Sequence, residues 1–203
     1  MASQVEIINR ALTKLGSARI TSTNDNNKRA YVMVALWDSV RRAELTKRFW
    51  GFAIRRTSLA ALGTIPSWGF KTEYQLPNDY LRLVQVNDVY AVPSLTDYRS
   101  GDDSAYAIEN TTTGAVIRTD FNAPLKIRYV ADITDPGLFN PLFVEGMATK
   151  LAYEACQDVT DSNTKQQMLA QEYDRVIREA AKANAIEKPP QGIPDDSFML
   201  SRL

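Results

Sequence analysis

The sequence predicts an α+β protein: an antiparallel helical bundle formed by N- and C-terminal helices, an inserted small antiparallel β unit, and an extended C-terminal arm. Apolar residues recur at helical spacing at both ends of the chain, whereas short alternating segments separated by Asn, Thr, Gly and Pro fill the middle. Prolines then cluster near the C-terminus. The predicted boundaries are 1–49 and 135–186 for the bundle, 50–134 for the β-rich region and 187–203 for the arm.

Two helices are predicted in the first 49 residues. Ser3 and Glu6 have the spacing of a capping box, and Gly16 follows as a C-terminal stop. A polar loop over 21–27 leads into a longer helix that ends at about Phe49. The apolar positions of the two helices are Val5, Ile8, Leu12 and Leu15, then Met33, Leu36, Trp37, Val40 and Ala43.

The middle of the chain carries strand signals and turn signals in alternation. Pro66 with two glycines marks one long turn, and Pro77-Asn78-Asp79 marks another. The middle third is therefore predicted to be a small antiparallel β unit. The strand candidates are 50–59, 71–76, 105–109, 115–119 and 125–130, and the segment 81–90 is apolar and partly alternating.

Helical spacing returns at about Pro141, and a polar turn over 158–163 is able to cap the last helix. The apolar positions are Val144, Met147, Leu151 and Ala155, then Leu169, Tyr173, Val176, Ile177 and Ala180. Beyond Glu187, three prolines exclude a regular helix. The chain therefore ends in an extended arm.

Composition narrows the class of protein. With 203 residues, 44% of them hydrophobic and 24% charged, the chain is expected to bury a sizeable core. No stretch approaches the roughly 18 apolar residues of a membrane span, and the first residues lack a signal-peptide pattern. The protein is therefore expected to be made in a cytoplasm and to have no membrane anchor.

The chain contains no histidine and one cysteine, Cys156. The usual general base and the commonest metal ligand are therefore missing, as are a disulfide and a cysteine-based zinc site. Cys156 lies beside an apolar stripe and is expected in the core. The sequence favours a protein with no catalytic residues, no cofactor and no metal.

Acidic residues give weak candidates for chemistry. The adjacent pairs Asp102-Asp103 and Asp195-Asp196 lack further ligands at suitable spacing, so solvated loops are favoured over cation sites. Six aromatic residues lie near the junction of helices and strands, where packing is favoured over a stacking platform for bases or sugars. They are Trp37, Trp50, Trp68, Phe49, Phe52 and Phe70.

Charge is balanced overall, with 24 basic and 24 acidic residues, but it is unevenly distributed. Segment 26–56 has eight basic residues against two acidic ones, and 132–161 has six acidic residues against one basic. The two segments either join different faces of neighbouring copies or neutralise each other within one copy, or the basic segment lines a nucleic-acid channel. The candidates for inter-subunit or channel charge are Arg41, Arg42, Lys47, Arg48, Arg55, Arg56, Glu145, Glu154 and Asp158.

The end of the arm is apolar and has too few residues for a core of its own. Such a segment on an extended arm either docks into a partner, folds back on its own domain or stays disordered. The docking candidates are Phe198, Met199, Leu200, Arg202 and Leu203.

Several segments together resemble the tail tubular protein A family, the head-to-tail adaptors of short-tailed bacteriophages. They are the opening helix ending in Leu15-Gly16, the Asn-rich link into a long helix, Arg48-Phe49-Trp50-Gly51-Phe52, Tyr74-Gln75-Leu76-Pro77-Asn78-Asp79-Tyr80-Leu81-Arg82, and Asp195-Asp196-Ser197-Phe198-Met199-Leu200-Ser201-Arg202-Leu203. The resemblance covers nearly the whole chain. The Leu-Pro-x-Asp-Tyr-Leu segment and the tail are its most distinctive parts.

This resemblance implies a structural virion protein that forms a ring of twelve copies between the portal ring and the tail nozzle protein, with tail fibres as further neighbours. It implies that DNA passes through the central channel without sequence-specific binding, and that residues 198–203 dock on the portal. The β insertion, 74–130, would face tail components. Two alternatives remain: another head-completion or connector protein with the same helical core, and a virion-associated cell-wall hydrolase that uses carboxylates such as Glu109 and Asp120.

Overall fold

A computed structural model of the chain describes residues 2–87, 89–90 and 106–187. The predicted α+β class is confirmed, since four helices and two antiparallel sheets make up this part of the chain. The helices are α1 (Gln4–Lys14), α2 (Lys28–Lys47), α3 (Pro141–Thr160) and α4 (Asn163–Ile186). The strands are β1 (Ile54–Leu59), β2 (Thr72–Gln75), β3 (Tyr80–Val86), β4 (Val89–Tyr90), β5 (Tyr106–Thr111), β6 (Gly114–Thr119) and β7 (Leu125–Ala131).

Side-chain caps fix where the helices begin. The Ser3 hydroxyl accepts a hydrogen bond from the Glu6 amide at 3.2 Å, which confirms the predicted cap of α1. Asn27 caps α2 and Asn140 caps α3 in the same way. Gly16 follows α1 with a φ of +68°, a left-handed conformation that glycine adopts at little cost.

Helix α3 is the element that α1, α2 and α4 all contact. Its side chains at Phe143, Met147 and Leu151 are buried. On its α4 side, Gly146 allows a close approach, because a Cβ built there would lie 3.2 Å from Cδ1 of Ile177. The antiparallel order of the four helices and the division into 1–49 with 135–186, 50–134 and 187–203 stay predictions.

The strands form two antiparallel sheets. One has the order β1-β7-β3-β4, in which β4 is only two residues long, and the other has the order β2-β6-β5. In the first sheet Arg56 of β1 is the direct partner of Arg128 of β7. Strand β3 pairs with the other side of β7 and contains two irregularities in register.

A single apolar cluster includes residues of the helices and of both sheets. An aromatic group joins the end of α2 to α3: the rings of Trp50 and Phe52 each lie 5.1 Å from that of Phe143, and Phe139 packs beside them. The preference for a packing role is therefore confirmed for Trp50 and Phe52. The expectation is wrong for Trp68, whose side chain is 85% exposed.

Some predicted boundaries are wrong in detail. The strand expected over 50–59 begins at Ile54, because Gly51–Ala53 forms a 3-10 turn. Helix α3 continues to Thr160, where a turn was expected from residue 158. The apolar segment 81–90 contains most of β3 and all of β4, and Asn87, whose φ is +47°, lies between the two strands. Cys156 is buried, as predicted.

Candidate interaction surfaces

Arg41 and Arg42 of α2 are both held by Asp132, which follows β7. The Arg41 guanidinium is 4% exposed; it contacts Oδ1 of Asp132, and its Nη1 donates to the Ile133 carbonyl oxygen at 2.9 Å. Arg42 reaches Oδ2 of Asp132 at 3.5 Å. A basic and an acidic segment therefore neutralise each other here within one copy. Because Arg41 is buried, it cannot line an open channel.

Lys47 belongs to a second internal cluster, between α2 and α4. Its ammonium donates to Oε1 of the buried Glu44 at 2.5 Å and to the hydroxyl of Tyr173 at 3.1 Å. The Tyr173 hydroxyl donates to the other carboxylate oxygen of Glu44 at 2.7 Å. Burial, then this hydrogen bond, raises the pKa of Tyr173 well above its usual range. This cluster holds two helices together.

The predicted acidic candidates on α3 lie in different surroundings. Glu145 accepts from Lys14 of α1 at 2.6 Å and lies 3.6 Å from Arg10, at the side of a surface cavity of about 440 Å³. Glu154 pairs with Lys150 one turn earlier, at 2.6 Å, and Asp158 is exposed. Only Glu145 thus belongs to a contact between helices.

An acidic stripe runs along the last two turns of α3. Glu154 and Asp158 are exposed and lie four residues apart, on one side of the helix. Asp161, the exposed C-cap of α3, has a left-handed φ of +51° and accepts a hydrogen bond from the Gln157 side chain at 2.5 Å. In the described part of the chain no ion pair involves Asp158 or Asp161. These three residues are called the acidic stripe.

Arg48, Arg55 and Arg56 of the basic segment are exposed. Arg55 pairs with Asp79 at 2.6 Å, whereas the described residues offer no ion pair to Arg48 or Arg56. Arg56 points to the side of the first sheet that also carries Arg128 and Lys126, because cross-strand partners and alternate residues share a face. Arg56, Lys126 and Arg128 are called the basic sheet face.

The C-terminal end of α2 packs against strand β3. Arg82 of β3 donates to the carbonyl oxygens of Thr46 and Lys47 at 3.2 and 3.5 Å, and its guanidinium lies 4.7 Å from the centre of the Phe49 ring. These contacts direct Arg82 toward the helix terminus. Arg82 is therefore not counted in the basic sheet face.

A third exposed surface is the connection between β1 and β2. Ile65 is 80% exposed and Trp68 is 85% exposed, with Leu62 beside them in sequence. The Thr64 hydroxyl donates to Glu73 of β2 at 3.1 Å, which fixes one side of the loop. The sequence does not reveal this exposed apolar loop, because Trp68 lies near other aromatic residues and a packing role is predicted for all of them.

Lys126 and Arg128 were also missed. They lie far from the 26–56 segment in sequence, and only the register of β1 with β7 places them beside Arg56. The alternation Leu125, Lys126, Ile127, Arg128 is the signal that identifies them, because it assigns the two cations to the exposed face of a strand.

The carboxylates considered for hydrolysis have partners of their own. Glu109 contacts Nη1 of Arg118 at 2.6 Å, and Asp120 accepts from the Lys71 amide at 2.9 Å. Within residues 2–87 and 106–187 no three His, Cys, Asp or Glu side chains are grouped as a metal site requires. No helix in those ranges combines the length and the apolarity that crossing a membrane requires.

The docking candidates Phe198, Met199, Leu200, Arg202 and Leu203 lie outside the described residues, as do Asp102, Asp103, Asp195 and Asp196. No protein-family model matches the chain, and no curated protein matches it in a sequence comparison.

Proposed function

We propose that this chain is a non-enzymatic structural subunit of a short-tailed bacteriophage virion, a ring-forming adaptor that connects the portal to the tail nozzle and surrounds the DNA channel. It is made in the host cytoplasm and assembled into the tail. The runner-up is another head-completion or connector protein, which would differ in its position and copy number.

The observation that carries this proposal is the separation of exposed charge. The basic sheet face lies on β1 and β7, the acidic stripe lies on α3, and no ion pair joins the two among the described residues. Surfaces that differ but complement each other favour head-to-tail association, and a head-to-tail contact closes a ring when its rotation allows. Identification of the neighbours as portal and nozzle is supported by the resemblance of the sequence segments.

Light scattering on the purified chain, alone and mixed with the cognate portal ring, tests the proposal. We expect a ring of about twelve copies or a defined complex with portal. Deletion of 198–203 is expected to abolish portal binding, whereas Asp195→Asn with Asp196→Asn, in the same arm, retains it. A chain that stays monomeric and ignores portal would refute the adaptor assignment, and activity on peptidoglycan would favour the hydrolase.

A further inference from the structure

We propose that the basic sheet face of one copy binds the acidic stripe of a second copy of this chain. The inference rests on the proposed function and adds the pair of surfaces that joins neighbouring subunits. It assigns the residues on each side of the contact: Arg56, Lys126 and Arg128 on the sheet, and Glu154, Asp158 and the C-cap Asp161 at the end of α3.

The basic sheet face carries uncompensated charge. Arg56 and Arg128 are direct cross-strand partners, and like charges placed opposite each other on a sheet destabilise it. Among the described residues no carboxylate pairs with Arg56, Lys126 or Arg128. The side chain of Arg128 makes one long hydrogen bond, 3.4 Å to Gln85, and its Nε is buried without a partner. Arg56 and Lys126 are exposed, so an acidic partner placed beside them would reduce this repulsion.

The acidic stripe has the opposite imbalance. Lys150 compensates Glu154 at 2.6 Å, but the described residues offer no ion pair to Asp158 or to the C-cap Asp161, which accepts only a hydrogen bond from Gln157. The C-terminus of a helix is also the negative end of its dipole, so negative side chains there are unfavourable in an isolated copy. A cationic surface brought against this end would stabilise both the side chains and the helix terminus.

The spacing of charges is similar on the two surfaces. Lys126 and Arg128 are two residues apart on a strand, which separates their Cα atoms by about 6.8 Å. Glu154 and Asp158 are four residues apart on a helix, a rise of about 6 Å. A helix laid along β7 can therefore pair both cations with both anions, and Arg56 adds a second row about 5 Å to the side.

A second copy is the occupant that the charges favour. The chain has a net charge of zero, so the excess of one sign on one surface is balanced elsewhere on the same chain. Each copy carries one basic sheet face and one acidic stripe, so a set of copies contains the two surfaces in equal number. Because the two surfaces differ, each copy uses one surface toward each neighbour, as a closed ring requires. Electrostatic complementarity of this kind sets the orientation of the contact.

Charge reversal on each side tests the pairing. One variant carries Arg56→Glu with Lys126→Glu, and the other carries Glu154→Lys with Asp158→Lys. Each variant alone is expected to self-associate at least about tenfold more weakly, in solution or on the portal ring, because every contact then joins like charges. An equimolar mixture of the two is expected to regain association, since each face then meets a neighbour of opposite sign. Arg178→Glu with Lys182→Glu on the exposed side of α4 is the control for the first variant, because it changes the net charge by the same amount.

Circular dichroism and thermal unfolding of every variant separate a lost contact from a lost fold. Variants that are folded and still associate like the wild-type chain overturn the pairing but leave the adaptor function standing. Loss of binding to a DNA duplex in Arg56→Glu with Lys126→Glu, together with unchanged self-association, overturns it in favour of a nucleic-acid surface. A wild-type chain that neither associates nor binds portal overturns both proposals.

Discussion

The hydroxyl of Tyr173 on α4 donates a 2.7 Å hydrogen bond to Oε2 of Glu44 on α2. Glu44 is only 1% exposed. The other carboxylate oxygen of Glu44 is occupied by Lys47 at 2.5 Å. A carboxylate at this depth keeps its charge only if hydrogen bonds replace the lost water. The pair therefore connects α2 and α4 by a contact that neither helix can satisfy alone.

Tyr173→Phe is expected to destabilise the protein by about 1–3 kcal/mol, because one oxygen of a buried carboxylate loses its donor. Urea unfolding followed by circular dichroism measures the change. Tyr153→Phe removes the same hydroxyl from a tyrosine whose ring contacts Lys150 but whose hydroxyl has no hydrogen bond to a described residue. It is expected to change stability little. Equal losses in the two variants would contradict the role given to Glu44.

Asp132→Asn is expected to cost about 3 kcal/mol, because the buried Arg41 then loses the charge that compensates it. Asp38→Asn is the matched control: Asp38 also contacts Arg41, at 3.0 Å, but its side chain is 77% exposed, so water replaces its contribution. The measurement is again the free energy of unfolding in urea. A larger loss for Asp38 than for Asp132 would disprove this ranking.

Deprotonation of Tyr129 in alkaline solution is expected to lower the free energy of unfolding. Burial, and then the hydrogen bond to Asp79, raises the pKa of Tyr129 to about 12, whereas an unfolded tyrosine has a pKa of about 10. The folded state therefore holds this proton more tightly. The stabilisation is fully present below about pH 10 and is lost as the pH rises through about 12. Urea unfolding at about pH 8 and about pH 11 measures how far the free energy of unfolding decreases between the two pH values. This decrease should be smaller for Tyr129→Phe than for the wild-type chain. Identical decreases would exclude Tyr129 as the source.

Gly114→Ala is expected to destabilise the protein by about 1–3 kcal/mol. Gly114 begins β6 with a φ of +124°, which side chains rarely allow, and a Cβ there would lie 3.1 Å from Nε2 of Gln75. Gly63→Ala is the control, because nothing lies within 4 Å of a Cβ at that position. Thermal unfolding of the two variants compares them directly. A Gly63 variant as unstable as the Gly114 variant would show that space and φ do not decide the outcome.

The helices were predictable because their signals are local. The capping residues Ser3 and Asn27 and the stop at Gly16 lie within a few residues of the ends that they define. The order of the strands was not predictable, because β1 pairs with β7 across about 70 residues of sequence and no local pattern records that partner.

The candidate surfaces were predicted only in part, for the same reason. A run of arginines in sequence does not show which of them is buried: Arg41 lies inside against Asp132, whereas its neighbour Arg42 is exposed. Whether a charge is available to a partner depends on contacts made at long range. The exposed Trp68 shows the converse, since a residue type that usually packs in a core is here held on the surface by its loop.

The position of α3 has a consequence for synthesis of the chain. Helix α3 begins at Pro141, and α1, α2 and α4 all pack against it. A ribosome adds about 5–20 residues per second. Several seconds therefore pass between the synthesis of α2 and that of α3, and during this time the apolar sides of α1 and α2 lack the helix that covers them. The apolar sides of the first two helices therefore stay uncovered on the nascent chain until α3 has been made, and the helical part is complete only after α4 has followed.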